Sequence, residues 1–383
     1  MKTNWQTKKL GKVCDVLDNK RKPITKRNRT TGEYPYYGAT GILDYVGDYI
    51  FDEKLVLIGE DGAKWESGEH TAFIAEGKYW VNNHAHVIRP HRDIILDNWI
   101  IYLFYFNDLT KHTTGLTVPK LNQANLRNIK IPLPPLSEQH RIVKILDGVF
   151  ADVAKAKESA EKNFQNAKEL FESYLNNIFA NPGKNWEEEK LGKVCGFVRG
   201  PFGGSLKKSI FKKEGYVVYE QQHAIYNQFT KVRYFVDEKK FNEMKRFELN
   251  PGDLIMSCSG TMGKIAIAPD NIKKGIINQA LLKLSPSKNL LNIFLKYWME
   301  SSVFQDDLNK YTKGAAIKNV VSVKILKEIK LFVPKIQQQK SIVAKLDAVS
   351  AETKKLEVIY QQKLADLEEL KKSVLKKAFC GGL

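Results

Sequence analysis

The chain has 383 residues, of which 43% are hydrophobic and 27% charged, and its 61 basic against 43 acidic residues give a net charge of +18. This composition excludes a disordered chain, and the length predicts two or three domains. The longest apolar run, Trp99 to Phe106, has eight residues, far short of the ~20 needed for a membrane-spanning helix. Four cysteines without a Cys-x-x-Cys pair indicate neither a disulfide framework nor a zinc site. We therefore expect a reduced, cytoplasmic protein without a membrane segment.

In chain order, the sequence passes twice through the same series of elements. Short β-rich runs such as Lys54–Ile58 alternate with glycine and asparagine turns, and a helical stretch from Leu96 to Leu109 follows. A proline-rich stop then precedes a long helix without proline. The second half repeats this order, with a strand at Tyr216–Tyr219 and a helical stretch from Leu290 to Leu308. We predict α/β (α+β) domains at 1–134 and 185–334, a central helical segment at 135–184 and a C-terminal one at 335–383.

An internal repeat supports this division. Lys9–Cys14 recurs identically as Lys190–Cys195, at an offset of 181 residues. At the long helices the offset is 200, for example between Gln139 and Gln339. One register is kept over some fifty residues there, which indicates a duplication. The second copy therefore carries about 19 additional residues in its first part.

The two long helices carry apolar residues at nearly every first and fourth position of a seven-residue repeat. A seam this narrow, kept for about five repeats, predicts that the helices pair with each other. Some 43 residues would form a rod of about 65 Å. The alternative is that each helix packs only on its own domain. The residues predicted to pair are Ile142, Leu146, Val149, Val153 and Leu170 in the first helix and Ile342, Leu346, Val349, Leu356, Leu367 and Leu370 in the second.

Most of the positive charge lies outside the helices, with +4 on residues 1–130 and +10 on residues 185–330. Each of these parts contains a basic loop, and at the offset of 181 Lys26 and Arg27 align with Lys207 and Lys208. Such loops neutralise phosphates. A solvated surface is the alternative, but recurrence at equivalent places favours nucleic acid. The cations concerned are Lys20, Arg21, Lys22, Lys26, Arg27 and Arg29 in the first loop and Lys207, Lys208, Lys212 and Lys213 in the second.

Polar residues that could contact base edges form three short groups. Asn and Gln side chains can form paired hydrogen bonds with adenine in the major groove. Ordinary strand and turn packing is the alternative for any one of them. At an offset of 195, Asn278-Gln279 aligns with Asn83-His84. The candidates are Asn82, Asn83, His84, Gln221, Gln222, His223, Asn278 and Gln279.

Motifs that would indicate catalysis are missing from the sequence. There is no GxxxxGK[ST] phosphate-binding loop. Pro134-Pro135 follows Leu133 and not the Asp or Asn found in the catalytic tetrapeptide of amino-methyltransferases. His84-Ala85-His86 has no acidic ligand at metal spacing, and the second half does not repeat it. We predict no catalytic residue, no metal and no cofactor in this chain.

The sequence resembles the specificity subunit of type I restriction-modification systems over nearly its whole length. Trp-x4-Leu-Gly-x-Val begins each half, and Asn128–Gln139 precedes and begins the first long helix. Glu60–Ala63, Val81–His86 and the segment around Lys120 are also similar to parts of the target-recognition domains of that family. The second half keeps the beginning of the helix but lacks the double proline.

This resemblance implies that each domain recognises one half of a bipartite, asymmetric double-stranded DNA site, with Lys120 among the contacts. The long helices would pair antiparallel and set the gap between the halves. Two methyltransferase (modification) subunits and the restriction/translocase subunits would be partners. S-adenosylmethionine, ATP and Mg would bind to those partners and not to this chain.

Two alternatives remain open at this point. The chain could be a DNA-acting enzyme with its own nuclease or methyltransferase activity, which purified protein with magnesium or S-adenosylmethionine would reveal. It could also be a coiled-coil scaffold whose basic domains bind RNA. That scaffold would bind structured RNA as well as it binds duplex DNA.

Overall fold

The computed structural model describes residues 5–115, 117–310 and 322–383. The chain divides into two compact units, Met1–Lys162 with Gln361–Leu383 and Asn163–Tyr360. Each unit contains one globular domain together with one part of each long helix. The long helices therefore belong to both units, and the predicted boundaries after residues 134 and 334 separate secondary-structure segments within a unit.

The first globular domain, domain 1, is built mainly from two β-sheets. Its strands are β1 (Gln6–Lys9), β2 (Cys14–Val16), β3 (Thr31–Gly38), β4 (Gly41–Val46), β5 (Phe51–Asp52), β6 (Leu55–Gly59), β7 (Ala72–Ala75), β8 (Lys78–Val81), β9 (Ala85–Pro90) and β10 (Lys130–Leu133), and its helices are α1 (Asp97–Phe106) and α2 (Gln123–Asn128). One antiparallel sheet has the order β2-β9-β6-β7, and the other has the order β4-β3-β8-β5 with β3 and β8 parallel. β1 pairs with β10 immediately before the long helix α3 (Leu136–Ala180).

The second globular domain, domain 2, has the same plan. Its elements are β11 (Glu187–Lys190), α4 (Leu191–Val194), β12 (Cys195–Arg199), β13 (Tyr216–Tyr219), α5 (Gln221–Tyr226), β14 (Phe235–Val236), α6 (Glu238–Glu243), β15 (Leu254–Ser257), β16 (Ile265–Ile267), β17 (Gly275–Ile277), β18 (Leu281–Pro286), α7 (Asn292–Glu300), α8 (Ser302–Lys310), α9 (Val323–Glu328) and β19 (Lys330–Val333). The sheets have the orders β12-β18-β15-β16 and β14-β13-β17, and β13 is parallel to β17. β11 pairs with β19, and the second long helix α10 (Ile336–Cys380) follows.

The structure confirms the predicted duplication and most of the predicted elements. The strands predicted at Lys54–Ile58 and Tyr216–Tyr219 are β6 and β13. The additional residues of the second copy lie mainly between β13 and β15, where α5, β14 and α6 stand in place of β4 and β5. The single helix predicted from Leu290 to Leu308 is wrong, because α7 and α8 are separate. Ser301 ends α7 with an extended backbone (ψ 156°), and its hydroxyl donates a hydrogen bond to the Trp298 carbonyl at 2.6 Å.

The core of each domain forms around its most apolar strand. All five residues of β6 are buried, as are all four of β15, which is typical of a strand covered on both faces. β6 runs antiparallel to β9, and β15 runs antiparallel to β18. Two repeat-equivalent cysteines, Cys14 and Cys195, are buried at the start of β2 and β12 in the same sheets. Burial raises the pKa of each thiol to about 12, as expected of cysteines that only fill space.

The start of each long helix is fixed to its own domain by a buried glutamine. Gln139 accepts a hydrogen bond from the Leu96 N–H at 3.0 Å and donates to the carbonyls of Ile94 and Pro134, each at 2.9 Å. Gln339 makes the same three bonds with the backbone of Leu291, Asn289 and Pro334, each at 2.8 Å. Both side chains are fully buried. The loss of the double proline in the second half therefore leaves this junction unchanged.

The two long helices pack together, and in each unit they also join the core of the globular domain. In the first unit, Ile142 and Leu146 of α3 lie in one apolar cluster with Leu375 and Phe379 of α10. Lys157 pairs with Glu368 at 3.0 Å, and Arg141 bonds the carbonyl of Leu383. The residue numbers rise along one helix as they fall along the other, so the helices are antiparallel. In the second unit, the end of α3 and the start of α10 share the core of domain 2.

Part of the predicted seam is wrong by one residue. Leu170, Leu356 and Leu370 are 53%, 37% and 46% exposed. The half-buried positions lie one residue later, at Phe171, Glu357 and Lys371. An α-helix drifts by ~20° per heptad against a strict seven-residue repeat, so over five heptads the contact stripe moves by about one residue. The other predicted positions are buried or half-buried, namely Ile142, Leu146, Val149, Val153, Ile342, Leu346, Val349 and Leu367.

Within the described ranges, both long helices included, no helix has the length and apolarity required to span a lipid bilayer.

Candidate nucleic-acid interface

Three turns of domain 1 meet at one edge, which we call the turn edge of domain 1: Gly38–Gly41, Glu60–Gly62 and Asn82–His84. The parallel strands β3 and β8 end side by side there. β6 also ends there, next to the start of its antiparallel neighbour β9. Backbone hydrogen bonds join the turns, from Asn82 N–H to the Tyr37 carbonyl at 3.0 Å and from Glu60 N–H to the His84 carbonyl at 2.8 Å.

The turn edge of domain 2 is formed by the equivalent turns: Glu220–His223, Cys258–Gly260 and Asn278–Ala280. Asn278 N–H bonds the Tyr219 carbonyl, and Cys258 N–H bonds the Ala280 carbonyl, both at 2.9 Å. Gly62 and Gly260 occupy the same place in the two edges, with φ of 71° and 63°. Glycine adopts this backbone without the steric cost that a Cβ atom brings. Both domains thus use the same backbone to bring three turns together.

The basic loop of domain 1 (residues 17–30, between β2 and β3) packs on this edge. The Lys22 carbonyl accepts a hydrogen bond from the Trp80 indole at 2.6 Å, and Lys22 N–H bonds the Val81 carbonyl at 3.3 Å. Among the described residues, four cations of the loop are exposed and have no carboxylate within 4.0 Å. They are Lys20, Lys22, Lys26 and Arg27. The part of the loop around Lys22 therefore adjoins the end of β8, directly before the turn that carries the predicted Asn83 and His84.

Two arginines of this loop are directed into the domain and are not free cations as predicted. Arg21 pairs with Glu60 at 2.5 Å, donates to the Ala85 carbonyl at 2.8 Å and is 13% exposed. Arg29 pairs with Asp44 at 3.0 Å and lies over the Tyr36 ring at 4.3 Å. Guanidinium groups used in this way support the shape of the loop, and the phosphate contacts predicted for them are not supported.

The basic loop of domain 2 (residues 200–215, between β12 and β13) also begins at its turn edge, where Gly200 N–H bonds the Leu281 carbonyl. In the described part of the chain, Lys207, Lys208 and Lys213 are exposed without a carboxylate within 4.0 Å. Lys212 approaches Asp237 at 3.8 Å. A short 3-10 turn begins at Lys26 in one loop and at Lys208 in the other, so the sequence alignment of these cations is off by one residue.

The asparagines of the two edges divide into structural and exposed ones. Asn82 is 3% exposed, and its side-chain oxygen accepts a hydrogen bond from His84 N–H at 2.8 Å. Asn278 makes the same turn with Ala280 N–H at 3.0 Å. Asn278 therefore corresponds to Asn82 and not to Asn83, so the offset of 195 was wrong by one residue. Asn83 and Gln279, which follow these two asparagines, are exposed.

In domain 2, the start of α5 contributes two of its three predicted residues to the edge. Gln221 accepts a hydrogen bond from Ser259 N–H at 3.2 Å, and Gln222 is half-buried beside it. His223 is fully buried. Its Nδ1 accepts the Glu220 N–H at 2.9 Å, and its Nε2 donates to the Lys231 carbonyl at 3.1 Å. The prediction that His223 contacts DNA is wrong, because its Nδ1 caps α5 and its Nε2 is bonded to the Lys231 carbonyl.

Under the turn edge of domain 1 lies a group of charged side chains. Lys120 approaches Glu60 at 2.8 Å and Asp61 at 3.7 Å, and His84 pairs with Asp61. Burial raises the pKa of Glu60, but hydrogen bonds from Lys120 and Arg21 outweigh it, and the net pKa is lowered. Lys120, predicted as a DNA contact, is therefore ion-paired, and 44% of its side chain remains exposed.

This group also contains three side chains with the spacing of metal ligands. One ligand atom from each of Asp18, Glu60 and His86 lies within 4.8 Å of the others. Arg21 and Lys120 occupy the carboxylate oxygens of Glu60, however. Two cations at this position disfavour a divalent metal ion, so the geometry supports a network of ion pairs.

The comparisons with known proteins agree with this architecture. The model of the type I restriction modification DNA specificity domain matches residues 2–162 and 183–365. The chain belongs to this family. A type I specificity protein of Haemophilus influenzae, described as the putative subunit S.HindORF215P, is 29% identical over 357 residues, which are 89% of this chain and 86% of that protein. The MjaVIII specificity subunit of Methanocaldococcus jannaschii is 24% identical and covers 99% and 92% of the two chains.

Two solved structures show the same fold as this type I specificity protein. A chain solved in work on complex assembly and conformational transition of the type I R-M system superposes with a TM-score of 0.74 at 21% identity, over 99% of this chain and 98% of that one. The HsdS subunit of Thermoanaerobacter tengcongensis gives 0.63 at 19%, over 100% and 98%. The family is that of a non-catalytic subunit, and the alternative of a nuclease or methyltransferase activity in this chain is not supported.

Several functional candidates were not predicted from the residues alone. Asp61 and Ser259 lie at equivalent, accessible places of the two turn edges, and Asp18 and Glu60 form the ion pairs beneath one of them. Apart from the Asp18–Arg21 pair, their partners are more than 20 residues distant in sequence, so spacing gives no signal. The local indications were the glycine at the third position of both turns, Gly62 and Gly260, and the family likeness of Glu60–Ala63.

Proposed function

We propose that this type I specificity protein is the DNA sequence-recognition subunit of a restriction-modification complex, with each domain contacting one half of a bipartite double-stranded DNA site. The observation that carries the proposal is the same arrangement in both domains. In each, a basic loop with free cations lies against a turn edge with exposed polar side chains. Phosphate contacts provide affinity and register, and polar side chains in a groove provide selectivity.

The two halves of the site should differ in sequence. At equivalent places of the turn edges, domain 1 has Asn83 and Asp61 where domain 2 has Gln279 and Ser259. The start of α5, with Gln221 and Gln222, has no helical counterpart in the described part of domain 1. Side chains with different donors and acceptors select different bases, so the bound site is not a palindrome.

The long helices would set the gap between the half-sites. Each is continuous over 45 residues, or about 68 Å at 1.5 Å per residue. That exceeds the 34–36 Å of one turn of DNA, the natural separation of two contacts on one face. Gln139 and Gln339 fix the start of each helix to its own domain, so a change in helix length should change the position of that domain's DNA contacts.

Partner subunits would supply the chemistry. Exposed apolar side chains on the long helices, Leu170 and Leu370 among them, fit the docking of two methyltransferase subunits, and restriction/translocase subunits would complete the complex. S-adenosylmethionine, ATP and Mg²⁺ belong to those subunits in this proposal. Mapping methylated adenines in host DNA with and without this chain tests it, since the modified positions should disappear with the chain.

Selection from a random-sequence duplex pool tests DNA recognition directly. The full-length chain should enrich two different short sequences at a constant separation, and structured RNA should not compete for binding. Enrichment of only one short sequence, or equal capture of RNA and DNA, would contradict the proposal. With Mg²⁺ or S-adenosylmethionine added, the purified chain should neither cut nor methylate the duplex.

A further inference from the structure

The basic loop of domain 2 carries an aromatic ring that the domain does not bury. Phe202 is 75% exposed, the same fraction as Tyr226 and more than any other large apolar side chain among the described residues. Single exposed apolar side chains are common on folded proteins and do not indicate a function by themselves. The surroundings of Phe202 therefore decide what its exposure means.

Phe202 lies close to the turn edge of domain 2. Gly200, two residues earlier, packs directly on the third turn of that edge, where a Cβ atom added to Gly200 would lie 1.8 Å from the Asn278 carbonyl oxygen and 3.1 Å from the Gln279 Cα. Gly200 N–H also bonds the Leu281 carbonyl at 2.9 Å. Two residues of chain reach at most about 7 Å, so the backbone of Phe202 is within that distance of the edge contact at Gly200.

The rest of the loop is fixed by packing, and Phe202 is left out of it. Leu206 and Phe211 pack against an apolar cluster in the interior of domain 2. Pro201, directly before the exposed ring, is buried. The Ser205 hydroxyl donates a hydrogen bond to the Phe202 carbonyl at 2.9 Å. The backbone thus presents the ring at a defined place, which reduces the entropy cost of using it in a complex.

Unpaired cations follow the ring in the same loop. Lys207, Lys208 and Lys213 are exposed, and the described structure places no carboxylate within 4.0 Å of them. The Lys207 side chain lies against Gly204, where an added Cβ atom would be 2.6 Å from its Cε. This concentration of positive charge beside an apolar ring favours a polyanion as the partner of the loop, and duplex DNA offers both phosphates and apolar base faces.

The basic loop of domain 1 offers cations but no ring. Residues 17–30 contain no aromatic residue. At the offset of 181, the residue aligned with Phe202 is Arg21, which pairs with Glu60 and is directed into the domain. The two loops therefore differ in the type of contact that they can make with DNA.

We propose that Phe202 inserts between two adjacent base pairs at the half-site bound by domain 2 and thereby selects a pyrimidine–purine step there. The inference rests on the proposed function. Apolar side chains inserted in this way unstack a base step and kink the duplex. Pyrimidine–purine steps are the most easily unstacked, so selectivity arises without a hydrogen bond to a base. The lysines of the loop bind the phosphates beside the inserted ring.

Duplex selection with the full-length chain is the first test. The unmodified chain should enrich a TA or CA/TG step within or next to the domain 2 half-site, which Gln279→Ala identifies as the half-site whose selection it changes. Phe202→Ala should reduce the preference for that step about tenfold, since base–aromatic stacking contributes on this scale. The domain 1 half-site should stay unchanged. A preference for the step that is equal in Phe202→Ala and the unmodified chain, or the absence of such a step, would overturn the proposal.

Fluorescence of 2-aminopurine reports the insertion itself, because it rises when this base is unstacked. With 2-aminopurine in place of the adenine of the selected step, the unmodified chain should raise the fluorescence several-fold and Phe202→Ala should not. Tyr226→Ala is the matched control and should retain the rise. Tyr226 is equally exposed, but it lies at the end of α5, about 7.5 Å along the helix from Gln221 at the edge.

A conservative variant separates insertion from a purely structural role of the residue. Leucine can also be inserted between base pairs, so Phe202→Leu should keep most of the step preference and of the fluorescence rise. If Phe202→Ala loses the whole domain 2 half-site, Phe202→Leu decides: retention of both signals supports insertion, and loss of both overturns it. A fluorescence rise that persists in Phe202→Ala would assign the unstacking to another group.

Failure of this inference can be distinguished from failure of the proposed function. If the unmodified chain enriches two half-sites but the fluorescence at the domain 2 half-site does not change on binding, only the insertion of Phe202 is refuted. If the unmodified chain enriches no sequence at all, the proposed function fails and this inference fails with it.

Discussion

The division of the first basic loop into free and internally paired cations predicts its contribution to the salt dependence of DNA binding. Removing one cation that neutralises a phosphate should reduce the slope of log K against log salt by about 0.9. Four cations of the loop, Lys20, Lys22, Lys26 and Arg27, are free of ion pairs in the described structure. Replacing all four by Ala should flatten the slope by up to about 3.6. The double variant Lys26→Ala/Arg27→Ala should flatten it by about 1.8.

Those slopes translate into a measurable difference in affinity. Between 50 and 200 mM salt, a slope change of 3.6 corresponds to about a 150-fold smaller loss of affinity. Fluorescence anisotropy with a labelled duplex at five salt concentrations measures it. Lys144→Ala/Lys155→Ala removes two exposed charges from α3 and is the matched control. An unchanged slope in the quadruple variant, or an equal change in the control, would refute the assignment of this loop to DNA.

Three further predictions concern stability and reactivity. Gln139→Ala should lower the free energy of unfolding by about 1–3 kcal/mol in urea titrations, because it leaves buried backbone groups unpaired. Gln165→Ala, at an exposed position of the same helix, should change this free energy little. Equal effects of the two substitutions would contradict the anchoring role of Gln139. Of the four cysteines, Cys380 is exposed and the other three are buried with raised pKa values, so a thiol reagent at pH 8 should label one site in the native chain and four in denaturant. The pKa values of Asp18 and Glu60 are lowered, so their ionised carboxylates stabilise domain 1 at pH values above the ordinary carboxyl range near pH 4, and this stabilisation is lost as the pH falls below that range. Hydrogen exchange should therefore show domain 1 opening before domain 2 on acidification. Simultaneous opening of the two domains would contradict this prediction.

The sequence contained enough information for the duplication, the two domains and the long helices, because these depend on repeats and periodicity. It could not give the spatial neighbours of single side chains. Arg21 and Arg27 lie in the same basic run, yet one pairs with Glu60 and the other is exposed. His223 is buried although it follows Gln221 and Gln222 in an apparently continuous polar group.

The seam of the long helices shows a similar limit. A strict seven-residue repeat located the buried face along the first half of α3, with Ile142, Leu146 and Val153 buried. Further along, the same repeat was wrong by one residue at Leu170 of α3 and at Leu370 of α10, because an α-helix has 3.6 residues per turn and not 3.5. Sequence periodicity is therefore a more reliable guide to the pairing of the helices than to the individual residues in contact.

In this proposal, the two domains of one chain recognise two different DNA sequences, and the long helices of the same chain set the distance between them. The most direct measurement is duplex selection with a variant that carries four additional helix-forming residues in each helix, after Lys162 and after Tyr360. Four residues add about 6 Å of helix, or nearly two base pairs. The selected half-sites should stay the same while the gap between them lengthens by one or two base pairs. Unchanged gap length, or altered half-site sequences, would contradict the account.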